Sequence, residues 1–399
     1  MRKVKLSKYV LLPHLLGILI LSSIFVFFSQ FFALLQGNYQ GLTLNGKFGG
    51  RVIREIIIIT IYFLFFKEII FVLRKIIPIL FIFVIILFLS IIYTLFKYQN
   101  IILIIVGIRF LEYIPLIGIV YYAFKKKGIN YINYFFKVIN AYILIFVFFE
   151  FFISIFELIF SPPVLGKTIF GSRIFGTFPS SNLFGFNMAV LTYYFYFVKN
   201  VKIMFITFLL SILSGSRLAS ITSTLVILYF LLSSKKLKQI KILFFISLPL
   251  FCLVFFKIYS LPAFSGRNIT HISRLKVWEE ILKTHVKNCW DISIGWGVGL
   301  GANTLTTVFG PARFKGQFIS DSTYIYILSA FGLIGLYFYI AILIFLIKIR
   351  SEFFILWILI LLCSIPVIWF ENFPSNVIIS LLWGCGLYFK KYSQKFIQK

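Results

Sequence analysis

Uninterrupted apolar runs set the limits on what this chain can fold into. Ile76–Phe96, Val138–Phe160 and Tyr324–Ile347 each reach the roughly 20 residues a helix needs to cross ~30 Å of hydrocarbon. With 61% of its residues hydrophobic and only 13% charged, the chain carries far more apolar surface than a water-soluble core can bury. The expectation is an all-α polytopic membrane protein. Its spans fall at roughly 10–35, 52–73, 76–96, 101–124, 138–160, 183–198, 201–213, 218–232, 240–256, 323–347, 353–370 and 376–389, about 12 transmembrane helices in all.

Charge gives the spans a direction. The net charge of +28 suggests nucleic acid at first, but the lysines cluster between apolar runs, as in cytoplasmic loops, and nucleic acid is set aside. Basic clusters at Arg2–Lys8, Lys67/Arg74/Lys75, Lys125–Lys127, Lys199/Lys202, Lys235–Lys241, Lys348/Arg350 and Lys390/Lys391 all fall on one side of the count. By the positive-inside rule that side is cytoplasmic, with both termini there. The run Tyr9–Leu35 is too long for a cleavable signal and reads as the first span. Four regions follow: N-terminal helices over 1–160, a transmembrane core over 161–256, a large extracytoplasmic loop over 257–322 between the ninth and tenth spans, and C-terminal helices over 323–399.

Residues 201–232 are too many for one crossing and too few for two full ones. Lysines on both flanks predict a hairpin whose tip, Ser214–Arg217, sits below the outer surface in a protein-lined depression. Charges inside spans (Arg54, Glu55, Lys67, Glu68, the i,i+3 pair Arg109/Glu112, Glu150, Glu157) are expected to face the interior, as structural ion pairs or as substrate-lining groups.

On the predicted exterior stand six of the eleven arginines (Arg51, Arg173, Arg217, Arg267, Arg274, Arg313), against eight of 28 lysines. The charge bias works against both types there, so the arginine enrichment points to a need for guanidinium geometry, whose planar fork matches phosphate oxygens. Anionic headgroups are the alternative partner. Within the large loop, Ser273–Lys287 places Leu275, Trp278, Leu282 and Val286 on one stripe, an amphipathic helix on which Arg274 and Trp278 share a face. Gly295–Gly301 (GWGVGLG) lacks the strand and helix of a dinucleotide site and reads as a tight loop. Asp321, at the mouth of the tenth span, is either a general base, its pKa raised by partial desolvation, or a helix N-cap. Four cysteines without CxxC spacing and three scattered histidines give no metal signature.

Taken in order, Arg173 in GSRIFGTFPSSN, Arg217 in SGSR, Arg274 in SRLKVW, then GWGVGLG and DSTYIYILSAFGLIG resemble the O-antigen polymerase and O-antigen ligase superfamily over about residues 165–345. The resemblance implies a GT-C-like, metal-independent glycosyltransferase without a cofactor, acting at the outer face of the bacterial cytoplasmic membrane. Undecaprenyl-pyrophosphate-linked glycans would be both donor and acceptor, and a chain-length regulator protein a further partner. Arg173, Arg217 and Arg274 would hold the donor pyrophosphate, with Arg267 and Arg313 in second rank. Arg217 and Arg274 would also act in catalysis beside Asp321 as base, with Glu279 and Glu280 in reserve. Trp278, Trp290 and Trp296 would meet sugar faces, although interfacial anchoring also explains them. Ligases of the superfamily commonly carry a histidine where this chain has Asp321, and His271 and His285 lie elsewhere. That difference favours polymerisation of O-antigen or capsule-type repeat units over ligation. A lipid-linked oligosaccharide flippase or other transporter is the rival from another class.

Overall fold

The computed structural model describes residues 7–35, 49–99, 101, 104, 112–160, 167–168, 171–172, 174–178, 181–233, 276, 278–279, 283, 293, 322–347, 351–364 and 373–392. These form an all-helical body. In chain order the helices are α1 (Lys8–Leu35), α2 (Gly49–Leu64), α3 (Phe66–Tyr98), α4 (Ile114–Lys127), α5 (Ile129–Phe160), α6 (Ser181–Phe197), α7 (Val201–Leu213), α8 (Arg217–Ser233), α9 (Thr323–Ile347), α10 (Ser351–Cys363) and α11 (Ser375–Tyr392). A ribbon of two residues per strand, β1 (Lys167–Thr168) and β2 (Gly171–Ser172), sits between α5 and α6, with Lys167 opposite Ser172.

Helix α6 is the axis of the body. Thirteen of its residues, including the run Phe184–Phe195, are buried, as expected of a helix apolar on every side. It packs on α7, α8, α10 and α11, while α1 packs on α2 and α5, and α4 on α11.

Helix α5 reverses the amphipathicity of a water-soluble protein. Ile145, Phe148, Phe152, Ile155 and Ile159 are exposed along one stripe, Phe152 at 66% and Ile159 at 70%. Glu150, Ser154 and Glu157, spaced i, i+4, i+7, are buried at 0%, 1% and 1%. The same outward apolar pattern runs along α2 and α3, where Ile56, Ile59, Phe63, Phe66, Phe88 and Phe96 are exposed. Among the described residues one helix, Ile129–Ile159, is long and apolar enough to cross a membrane, and several apolar helices are shorter.

Contacts sort the helix termini into two ends. At one, Lys8 Nζ meets Glu68 Oε2 at 2.7 Å and the Leu64 carbonyl at 2.9 Å. The Tyr9 hydroxyl donates to Glu68 Oε1 at 2.7 Å, and Tyr131 donates to the Tyr9 carbonyl at 2.5 Å. Lys126 and Lys127 lie over the Tyr9 ring. They close the last turn of α4, where cations suit the helix dipole, and Gly128, at φ 76°, makes the turn into α5. This end gathers the basic segments Lys8 and Lys125–Lys127. The other end gathers the starts of α4, α6, α8, α9 and α11 with the ends of α5, α7 and α10.

Several expected spans change shape. The break expected near residues 74–75 falls at Phe65, so Lys67, Arg74 and Lys75 lie within α3 and not in a loop. Helix α5 starts at Ile129, nine residues before the predicted 138. The span 101–124 is interrupted: Glu112 and Tyr113 form a turn, and α4 starts at Ile114 with Pro115 in its first turn, where proline's missing N–H does no harm. The tenth span is not one straight helix. Gly332 has φ 67° and ψ −167°, a conformation open to glycine. Tyr324 and Tyr339 consequently stand 5.8 Å apart ring to ring, whereas fifteen positions of straight helix rise about 22 Å. The hairpin expected over 201–232 is present as α7 and α8, and the span 240–256 lies outside the described residues.

Candidate functional site

The segment Ile174–Phe178 has no helix or sheet to satisfy its backbone, so side chains do it. Phe175 and Gly176 N–H donate to Glu157 Oε2 at 2.9 and 3.0 Å. Thr177 donates from its N–H to Glu150 Oε2 at 2.9 Å and from its hydroxyl to Glu150 Oε1 at 2.5 Å. Gly176 adopts φ 58°, and a Cβ there would lie 2.1 Å from Glu150 Oε2 and 2.6 Å from the Phe184 ring, so both conformation and space demand glycine. Phe178 anchors the far side of the segment between Phe146 and Phe184. The Ile174 N–H donates to the Leu213 carbonyl at 3.5 Å.

That last bond joins the segment to the hairpin tip. Ser214 is αR and Gly215 is left-handed at φ 65°, which turns the chain from α7 into α8. The Ser214 hydroxyl donates to the Ser211 carbonyl at 2.6 Å and accepts from Ser216 N–H at 3.1 Å. Ser214 and Ser216 are buried at 0% and 7%. Gly185 of α6 makes room for them: a Cβ there would come within 2.4 Å of Ser214 Oγ and 2.9 Å of Ser216 Cβ. Arg217 is the first residue of α8.

From α8 the polar edge continues to α10, α9 and α11. Thr222 Oγ1 and Cys363 Sγ are 3.7 Å apart. The Ser364 carbonyl accepts from Thr323 N–H at 2.9 Å and from the Ser322 hydroxyl at 3.3 Å. The Ser322 carbonyl accepts from Tyr326 N–H at 2.9 Å, so the N-cap position of α9 belongs to Ser322 and not to Asp321. Asn187 Oδ1 accepts from Ser375 N–H at 3.0 Å and from the Ser375 hydroxyl, and its Nδ2 donates to the Leu183 carbonyl at 2.9 Å.

Segments flanking three of the predicted residues are thus linked through one edge: Ile174 beside Arg173, the helix start at Arg217, and Ser322 beside Asp321. The side chain of Arg217 and the whole of Arg173, Arg267, Arg274, Arg313, Trp290, Trp296 and Asp321 lie outside the described residues, as does Glu280. Trp278 is helical and half-buried. Its neighbour Glu279 is exposed and paired with Lys283 at 2.5 Å, i to i+4. The hydrogen bond from Lys283 holds the Glu279 carboxyl below the usual carboxylate range.

Of the charges expected inside, Glu68 and Glu55 form ion pairs with Lys8 and Arg54, while Lys67 is exposed. Glu150 and Glu157 face the interior, and among the described residues they accept from backbone amides and a hydroxyl, not from a cation. Glu157 Oε1 has no hydrogen-bond partner among the described residues. Their i, i+7 spacing with Ser154 between was the signal that α5 has a polar face. Glu112 lies in a turn near Arg54 and Glu55, and Arg109, its expected i,i+3 partner, lies outside the described residues. Arg54 bonds Glu55 at 2.6 Å and lies over the Phe373 ring at 5.3 Å, while Phe373 stacks on Tyr113. Asn187 was missed because one asparagine inside an apolar run gives no pattern. Among the described residues no group of three metal-ligating side chains converges.

The chain matches no family model, no curated protein and no solved structure.

Proposed function

We propose that this is a polytopic membrane glycosyltransferase that polymerises undecaprenyl-pyrophosphate-linked repeat units into O-antigen or capsule-type polysaccharide. The membrane part of the reading draws support from the exposed isoleucine and phenylalanine stripes of α2, α3 and α5 around buried carboxylates and serines, a distribution suited to lipid and costly in water. The basic residues at the Lys8/Lys126 end support a cytoplasmic assignment for it, leaving the polar edge outside.

The observation that carries the enzymatic reading is the bond from Ile174 N–H to the Leu213 carbonyl. It ties the GSRIFGTFPSSN segment to the SGSR tip, so that two arginine stretches separated by about forty residues share one edge. In the proposed reaction the acceptor hydroxyl attacks the anomeric carbon of the donor chain. The new C–O bond forms as the bond to pyrophosphate breaks, and Asp321 takes the hydroxyl proton. Arg173, Arg217 and Arg274 stabilise the negative charge gathering on the departing lipid pyrophosphate.

The test is deletion of the gene, with surface polysaccharide resolved on a gel. Single repeat units without a ladder support polymerisation. Loss of all exported units turns the assignment to a flippase, and polymer left on its lipid carrier turns it to a ligase. A normal ladder refutes it.

A further inference from the structure

Glu150 and Glu157 are ionisable groups held inside the body, and the reaction proposed above gives them no chemical step. Both serve one target, the turn Phe175–Thr177: Glu157 accepts two backbone amides on Oε2, and Glu150 accepts the Thr177 amide and the Thr177 hydroxyl, four hydrogen bonds of 2.5 to 3.0 Å. The next residue back, Ile174, is the one bonded to Leu213, and Arg173 precedes it in sequence. A carboxyl side chain brings two acceptor oxygens on one arm, which suits an irregular turn whose amides have no helix or sheet partner. Burial removes the water that would otherwise compete for those donors.

We propose that Glu150 and Glu157 are positioning residues that clamp the turn Phe175–Thr177 against α5, and thereby fix the approach of the Arg173 segment to the Ser214–Arg217 tip. The clamp itself is geometric. Its consequence for activity rests on the polymerase reading given above.

Two measurements separate the clamp from that reading, both on the full chain in membranes. The first does not use activity. Ile174 is fully buried, so Ile174→Cys reacts slowly with a membrane-impermeant maleimide, scored against the parent with its native cysteines. Adding Glu157→Ala or Glu150→Ala raises the labelling rate by about 25-fold, since each removes two hydrogen bonds at about fivefold apiece. Thr177→Val, which removes one donor and is the milder variant if an alanine variant fails to accumulate, raises it by about fivefold. Glu157→Gln keeps an oxygen able to accept both amides and stays within about threefold of the parent.

The second measurement is polymer length in the deletion strain. The alanine variants shorten or abolish the ladder, and Glu157→Gln restores it. Labelling rates unchanged in Glu157→Ala, Glu150→Ala and Thr177→Val alike would overturn the clamp, whatever the ladder shows. Gln variants as inactive as Ala, with labelling like the parent, would overturn positioning in favour of a direct role for the charge. A deletion strain with a normal ladder refutes the polymerase and leaves the labelling result to decide the clamp.

Discussion

The two ends of the helical body are held together by different chemistry. At the Lys8/Glu68 end, regular helices run almost to their limits and full charges join them: an ion pair, a tyrosine hydroxyl on the carboxylate, and lysines over a ring. At the Glu150/Ser214 end the chain leaves helical geometry repeatedly, at 174–178, at 214–216 and ahead of α9 and α11. There, beside the Arg54–Glu55 ion pair, most partners are backbone groups, and carboxylates, serines and Asn187 supply what the missing helix would have supplied. Long charged side chains adapt to small shifts, whereas backbone satisfied by short side chains holds one arrangement. The first end is a fastening, and the second is a shaped surface.

This contrast can be broken by mutation, with the largest effects expected at the second end. Asn187→Leu leaves the buried Ser375 N–H and hydroxyl without an acceptor. It lowers unfolding stability by about 2–4 kcal/mol, from the desolvation of each stranded group, read from denaturation of the purified protein in detergent. Gly185→Val drives a side chain into Ser214 and Ser216, for which overpacking costs about 1–3 kcal/mol; the same denaturation measures it, and on the proposed function the polymer ladder shortens with it. At the first end, Glu68→Gln removes a partly exposed ion pair and lowers stability by about 1 kcal/mol or less. Equal losses from Asn187→Leu and Glu68→Gln would abolish the contrast.

Arg217 sharpens the functional side of the comparison. On the proposed polymerase function, Arg217→Lys keeps the charge but loses the fork, and polymerisation drops by about tenfold with protein level unchanged. Full activity in that variant would mean that a point charge suffices at the start of α8. The smallest effect belongs to neither end. The Glu279 carboxyl is held low by Lys283, so its contribution to helix formation is present above the ordinary glutamate pKa and fades as pH falls through the depressed one. In a peptide spanning 273–287, circular dichroism at falling pH shows a slight helix loss that Glu279→Gln removes. The pair is fully exposed, and salt screens it.

How much of this was legible in the sequence depended on periodicity. The apolar runs gave the helices α6, α7 and α8 to within two residues, and the short halves of 201–232 gave the tip. Hydropathy reports how apolar a run is and says nothing of its direction. Thr323–Ile347 therefore read as one crossing, because a bend at Gly332 changes no hydropathy, and Phe65, as apolar as its neighbours, concealed a helix break. The segments of Ile174, Arg217 and Ser322 come to one edge, while the arginine side chains that drew attention to them lie outside the described residues. The groups that build that edge are Glu150, Glu157 and Asn187, whose partners lie 18 to 188 positions away. No local spacing encodes contacts of that range.

The polar stripe of α5 has a consequence for biogenesis. On the membrane reading, a helix carrying Glu150, Ser154 and Glu157 enters lipid at a cost it does not meet alone. Its amide donors follow only 18 to 27 residues later in the chain, and their docking is a short-range closure of the kind that forms early. Helix α5 and the turn after it are therefore made as one insertion unit: the nascent helix settles when Phe175–Thr177 folds back on it. On the same membrane reading, a premature stop or a long insertion between Phe160 and Ile174 would leave two carboxylates in the bilayer without their amide donors.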